Sequence, residues 1–309
     1  MTTYLTEYNW DDVVPVPQDD GGPDALVVIA YNDDYRTAMG YLRAIMRVEE
    51  YSERAFQLTS DIIFMNAAHY TVWTYRTRIL FALGKDCEQE LEWLEYVASK
   101  FPKNYQIWNH REIIVEKYNS PIRELPFIEA MLALDSKNYH VWSYRQWVVR
   151  RFNLWATELA YTSNMIEDDV RNNSAWNHRY FALFGAGAPV NDGIVASEIE
   201  FTKDAILKAP QNASAWNYLS GLVRTSKRPL SSLEDFCTSL ASFPMTVSAD
   251  SQEIVQSARA LEVLADIYAE KRDLDRALQA WTLLADKYDT IRVNFWNYKK
   301  LQATRTIMA

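Results

Sequence analysis

Apolar positions recur along most of the chain at helical rather than strand spacing. Glu88 to Ser99 places Leu91, Leu94 and Val97 on one face, and Leu125 to Leu134 does the same with Ile128, Met131 and Leu132. From Asp24 to Met65 the pattern is helical, with helices expected at Tyr35 to Val48 and at Ser52 to Phe64, the second with Ser52 as its N-cap. A different kind of helix begins at Asn104, Asn138, Asn172 or Asn212, where the Asn side chain can accept from the free amides of the first turn. Pro102, Pro121 and Pro210 fall between the runs, as helix punctuation should.

Each of those Asn residues stands four before a Trp. Aligned on it, HYTVWTYR, NYQIWNHR, NYHVWSYR, NNSAWNHR and NASAWNYL place Trp73, Trp108, Trp142, Trp176 and Trp216 at steps of 35, 34, 34 and 40 residues. A period of about 34 is one helix-turn-helix unit, which buries its apolar face only by stacking on neighbours. The pattern therefore predicts an all-α solenoid of stacked helical hairpins. Ahead of it, Met1 to Gly22 carries Pro15, Pro17, Gly21 and Gly22 among several Asp and reads as an extended arm, with Trp10 expected to dock. The expected division is an arm at 1–23 and a single repeat domain at 24–309, with clear repeats at about 66–224 and degenerate ones at 225–309. Helices are expected there at Pro229 to Phe243, Asp250 to Glu270, Asp273 to Lys287 and Ile291 to Gln302. NFWNYK at Asn294 to Lys299 is a degenerate copy of the Trp motif, and the last repeat is expected to cap the array with one face in water.

Composition supports helices packed by aromatic rings: 11 Trp and 19 Tyr stand against 8 Gly, in a chain that is 49% hydrophobic. A formal charge of -9 argues against a nucleic-acid groove. Cys87 and Cys237 are far apart and form no CxxC, so neither a disulfide framework nor a zinc site is indicated, and a reducing compartment fits. The opening residues do not read as a signal peptide, and no apolar run is long enough to span a bilayer; the expected location is cytoplasmic.

The repeated Trp is expected in the core. The Arg three residues later (Arg76, Arg111, Arg145, Arg179) faces nearly the same side and is expected to be buried against a carboxylate such as Asp61, Asp135, Asp168 or Asp169. Lys103, Lys137 and Arg171 each directly precede a capping Asn, so stacked units would present them as a row of cations at helix N-termini. That row is either a candidate anion site or a solvated row offsetting nearby acids. Tyr105 and Tyr139 would add flat apolar surface beside it. His69, His110, His140 and His178 take different offsets from the Trp and do not converge on a metal; His110 and His178 share one offset and read as structural, which leaves His140 as the functional candidate. With no nucleophile, base and oxyanion donor together and no phosphate loop, the chain reads as an interaction scaffold with an anion-friendly rim.

The motif KNYHVWSYRQWV, its neighbours KNYQIWNHR and DVRNNSAWNHRYF, the later NASAWNYLSGL and the arm WDDVVPVPQDDGG resemble the α subunit of protein farnesyltransferase, shared with protein geranylgeranyltransferase type I. The resemblance covers roughly Trp10 to Val223 and fades toward the C-terminus. Tetratricopeptide repeats share the period but place Gly and Ala where these units place Asn, Trp and Arg. The resemblance implies a crescent-shaped, right-handed α-α superhelix wrapped around a β subunit in an obligate heterodimer. The β subunit would hold the catalytic zinc and most of the isoprenoid pocket, magnesium would assist, and this chain would hold no metal. The implied reaction moves a farnesyl or geranylgeranyl group from its diphosphate to the Cys of a C-terminal CaaX protein, such as a Ras-like GTPase. On the matching positions, Lys137 would reach the diphosphate. Tyr139 and Tyr105 would line the isoprenoid and peptide exit. His140 would stand near the peptide's terminal carboxylate, where mammalian members of the family carry an uncharged amide, and Asn172 and Arg145 would act as substrate contacts or as scaffold. Other readings are the α subunit of Rab geranylgeranyltransferase, disfavoured because the chain has no room for extra domains after the repeats, and a non-catalytic helical-repeat adaptor.

Overall fold

The computed structural model describes residues 3–22, 24–244 and 253–308. Their contacts form two compact units, Met1–Asn153 and Leu154–Ala309.

In the first unit the arm departs from the expected extended course by starting with a short helix, α1 (Thr3–Glu7). It is seated by Asp61, which accepts from the Thr3 hydroxyl and the Tyr4 backbone N–H. Trp10 docks as expected: its indole donates to the Tyr4 carbonyl at 3.0 Å, its ring lies 4.9 Å from Tyr41, and the Arg54 guanidinium covers it. Residues 24–31 are not helical, and Leu26, Val27, Val28 and Ile29 are exposed there; three consecutive β-branched residues resist the helical χ1 restriction. Helix α2 (Asp33–Arg47) follows, capped by Asn32. Gly40 lets the arm lie against α2, because a Cβ there would come within 3.1 Å of the Pro15 Cβ, and the Gly40 carbonyl accepts from Val16 N–H.

Three hairpins complete this unit: α3 (Glu53–Met65) with α4 (Tyr70–Ala82), α5 (Cys87–Lys100) with α6 (Tyr105–Tyr118), and α7 (Glu124–Leu134) with α8 (Tyr139–Phe152). Ser52, Asn104 and Asn138 cap α3, α6 and α8 as the sequence predicts. Each Trp is buried, and the indoles of Trp73 and Trp142 donate to the carbonyls of Ala67 and Ser136, six residues upstream. At Trp108 the equivalent carbonyl, Pro102, accepts from the Asn138 side chain instead, and the buried Trp108 N–H has no partner.

The second unit repeats the plan with α9 (Glu158–Asp168) and α10 (Asn173–Phe184), then α11 (Asp192–Lys208) and α12 (Ala213–Thr225). Beyond these, the helix expected over Pro229 to Phe243 is shorter. A 3-10 turn leads into α13 (Glu234–Leu240), and Ala241–Ser242 (β1) pairs antiparallel with Ile254–Val255 (β2). Pro244 disfavours helical backbone at the preceding residue, so the chain leaves the helix there. The next helix, α14 (Ala258–Glu270), starts at the Ser257 cap rather than at Asp250, which with residues 251 and 252 lies outside the described residues. Helix α15 (Leu274–Leu283) passes into a wider turn at Leu284–Tyr288, and α16 (Val293–Met308) carries buried Trp296. The solvent face of α16 is mixed, with Phe295, Tyr298 and Leu301 exposed among Asn294, Asn297, Gln302 and Arg305.

Candidate functional site

Arg76, Arg111 and Arg179 bond glutamates rather than the aspartates expected from sequence. Arg76 binds Glu90 through two contacts of 2.6 and 2.7 Å, and Arg111 binds Glu124 through two of 2.8 Å. In the second unit Arg179 binds Glu198 at 2.7 and 2.6 Å. Asp61 lies within α3 and accepts from the arm, while Asp135 and Asp169 sit where a helix exits and each accept the backbone N–H two residues on, which closes the turn. Each buried Glu also takes a bond from the residue two after the following Trp: His110 to Glu90, Tyr144 to Glu124, His178 to Glu158, and Tyr218 to Glu198. His110 and His178 are thus packed into the scaffold, as their shared offset implies. Burial and the Glu124 charge push the Tyr144 phenol well above its ordinary range, so it remains a donor.

These bonds hold α6 and α8 with their N-termini side by side. Lys137 is exposed and immediately precedes Asn138, whose Oδ1 accepts from the His140 and Val141 amides. Tyr139 is 77% exposed and Tyr105 60% exposed, while His140 is half-buried between them. The His140 ring stacks on Tyr105 at 6.5 Å between centroids and meets Tyr139 edge-on at 5.7 Å. Behind them, Trp108, Tyr144 and Trp147 extend the aromatic wall, with Tyr144 stacked on Trp147 at 5.5 Å, around a cavity of about 420 Å³. The structure therefore brings Tyr139, His140 and Tyr105 together around one cavity, with Lys137 exposed at the helix entry two residues before Tyr139. The first cation of the expected row is partly cancelled, since the Lys103 ammonium lies 3.4 Å from the Asp135 carboxylate. Arg145 and Asn172 are buried. Arg145 lies 3.6 Å from Glu129, and Asn172, in the second unit, caps α10 by accepting from Ser174 and Ala175.

Sequence reasoning missed Trp147, Tyr144 and the glutamate column. A signal for the glutamates was present: Glu90, Glu124, Glu158 and Glu198 each stand 18 residues before a repeated Trp. Among the described residues, no group of three or more His, Cys, Asp or Glu is placed to hold a metal, and no helix is long and apolar enough to cross a membrane.

The protein prenyltransferase alpha subunit repeat matches residues 52–83, 87–118, 121–152, 155–185 and 195–226, one for each hairpin from α3/α4 to α11/α12. The protein farnesyltransferase/geranylgeranyltransferase type-1 subunit alpha of Candida albicans is 41% identical over 95% of this chain and 97% of its own length. That of Schizosaccharomyces pombe is 57% identical over 72% of this chain and 74% of its own. In the solved Candida albicans protein geranylgeranyltransferase-I complexed with GGPP, one chain is 40% identical with a TM-score of 0.88, covering 96% of this chain and 99% of that one. The chain belongs to the protein farnesyltransferase/geranylgeranyltransferase type-1 α-subunit family.

Proposed function

We propose that this chain, assembled in the cytoplasm with a β subunit, supports transfer of a farnesyl or geranylgeranyl group from its diphosphate to the Cys of C-terminal CaaX proteins, and that Lys137 is its contact with the reacting diphosphate. As the C–O bond breaks, charge collects on the leaving oxygens, and a fixed ammonium stabilises that state more than the intact diphosphate. A unit charge pair at 4 Å is worth about 4 kcal/mol at an effective dielectric of 20. Solvent screens an exposed lysine, so the full effect requires a bound partner and substrate to cover it. Tyr139 and Tyr105 offer flat faces to the isoprenoid and peptide, and His140, held between them, stands where a peptide carboxylate approaches.

Buried Asn172 and Arg145 contribute by holding helix starts and packing, so any substrate contact by them is indirect. Among the described residues no donor set fits zinc, and the zinc would be held by the β subunit; magnesium would offset diphosphate charge. The observation that carries the reading is Lys137, exposed one residue before the α8 cap, with Tyr139 and His140 of the aromatic wall two and three residues further on. Lys137→Ala keeps the Asn138 cap and should copurify with the β subunit, yet slow single-turnover transfer by roughly ten- to a thousand-fold, a loss of about 1.4–4 kcal/mol. Unchanged turnover would refute the assigned role.

A further inference from the structure

A second cationic feature lies in the first unit where the arm, α2 and the turn before α4 meet. It is a small cavity of about 40 Å³, walled by Gln18, Tyr31, Tyr35, Arg36, Arg43 and His69. In a chain of formal charge -9, no carboxylate lines it. Arg43 donates to the Val16 carbonyl at 2.9 Å and to the Gln18 side chain at 3.1 Å, and no carboxylate among the described residues forms an ion pair with it. Arg36 reaches Asp33 and the Tyr31 carbonyl. The Tyr35 hydroxyl accepts from Asn66 at 3.1 Å, so its own proton remains to be donated. The His69 Nδ1 is buried with no partner. A buried polar atom left this way costs about 1–3 kcal/mol unless a ligand or water meets it. The space suits about three water positions or one small tetrahedral ion; Met39 completes the wall, and Arg36, Arg43 and the Tyr35 hydroxyl face it as donors.

We infer that this cavity binds a small oxyanion of the phosphate class, which ties the arm to α2 and to the turn that starts α4. Arg43 supplies the charge, Arg36, already paired with Asp33, adds N–H donors, Tyr35 and His69 supply hydrogen bonds, and Gln18 closes the cavity from the arm. Burial holds the empty His69 imidazole below its ordinary value, assisted by the nearby Arg43 charge, and an anion offsets that penalty. The occupant links the arm to the helices because Gln18 and Val16 are already bonded to Arg43, and Val16 N–H donates to Gly40.

The test uses the full-length chain copurified with its β subunit and labelled at histidine Cε1. Inorganic phosphate is titrated against chloride at fixed ionic strength near neutral pH. Phosphate should shift one histidine signal saturably, and His69→Gln should remove that signal. Diphosphate, too large for the cavity, should leave it unmoved. Exchange of the Val16 amide should slow roughly ten-fold at ten times the dissociation constant. Arg43→Gln should abolish the shift; should that variant fail to fold, Tyr35→Phe and Arg36→Gln should each weaken it. A response equal in chloride and phosphate, or absent in both, would show that the cavity holds only water and overturn the inference. So would a shift that survives His69→Gln, or one produced equally by diphosphate.

Discussion

Replacing Glu124 by leucine should destabilise the first unit severely. Glu124 is fully buried and accepts two bonds from Arg111 at 2.8 Å and one from Tyr144 at 2.7 Å. Without it, the fully buried Arg111 guanidinium keeps only the Leu91 carbonyl at 3.3 Å, Glu95 at 3.5 Å and the Phe127 face at 4.0 Å. Breaking a buried pair by removing one partner costs about 3–5 kcal/mol, and the orphaned Tyr144 hydroxyl adds about 1–3 kcal/mol. Both penalties involve one carboxylate, so they overlap, and a total of about 4 kcal/mol is expected, against a typical stability of 5–15 kcal/mol. Arg111→Met with Glu124→Leu should recover most of the loss, because two apolar side chains replace the charges together. Glu95→Gln, at a half-exposed carboxylate, should cost less than about 1 kcal/mol. Urea unfolding followed by Trp fluorescence, with soluble yield alongside, measures all three. A Glu124→Leu cost near that of Glu95→Gln, or a double variant no better than the single, refutes the argument.

Two further outcomes follow from the same column. Burial holds the His110 imidazole below its ordinary 6.5 despite the opposing pull of Glu90. The unfolded chain therefore takes up this proton first. His110 contributes stability above about pH 6.5 and loses it as pH falls below, at up to about 1.4 kcal/mol per pH unit. Glu90 differs: burial opposes its charge, but Arg76 and His110 win and hold it below 4.5, so its share is present above that value and is lost only at lower pH. Melting temperatures between about pH 7 and 5 should fall for the natural chain and flatten in His110→Tyr, which copies Tyr144 and Tyr218; an unchanged slope shows that His110 is not the group titrating. Trp142→Phe should cost about 0.5–1.5 kcal/mol more than Trp108→Phe in unfolding experiments, since only the Trp142 indole has an acceptor to lose; equal costs refute that reading.

Much of the scaffold was legible because it is local. An Asn that caps a helix, a Pro that ends one and an apolar residue every third or fourth position act through neighbours in the chain, and α3, α5, α6, α7 and α8 fall where those signals put them. Where local signals competed, the reading slipped. The run at Val27 to Ile29 does not become helical, and Pro244 ends the helix expected through Phe243. The candidate surface was half legible: the cation and aromatic rings sit at fixed offsets from the cap, while Trp147 joins them only through packing.

Sequence alone determined the repeat, its caps, the buried Trp positions and the placement of Lys137, Tyr139 and His140 at a helix entry, since each depends on spacing within one unit. Only the tertiary structure decided which carboxylate each buried Arg meets, because Asp135 and Glu124 are both acids near a helix end, and only the packing of α6 and α7 against α8 brings Glu124 within reach of Arg111 and Tyr144. It likewise decided that residues as distant as Gln18, Arg43 and His69 surround one cavity, a juxtaposition that no periodicity encodes.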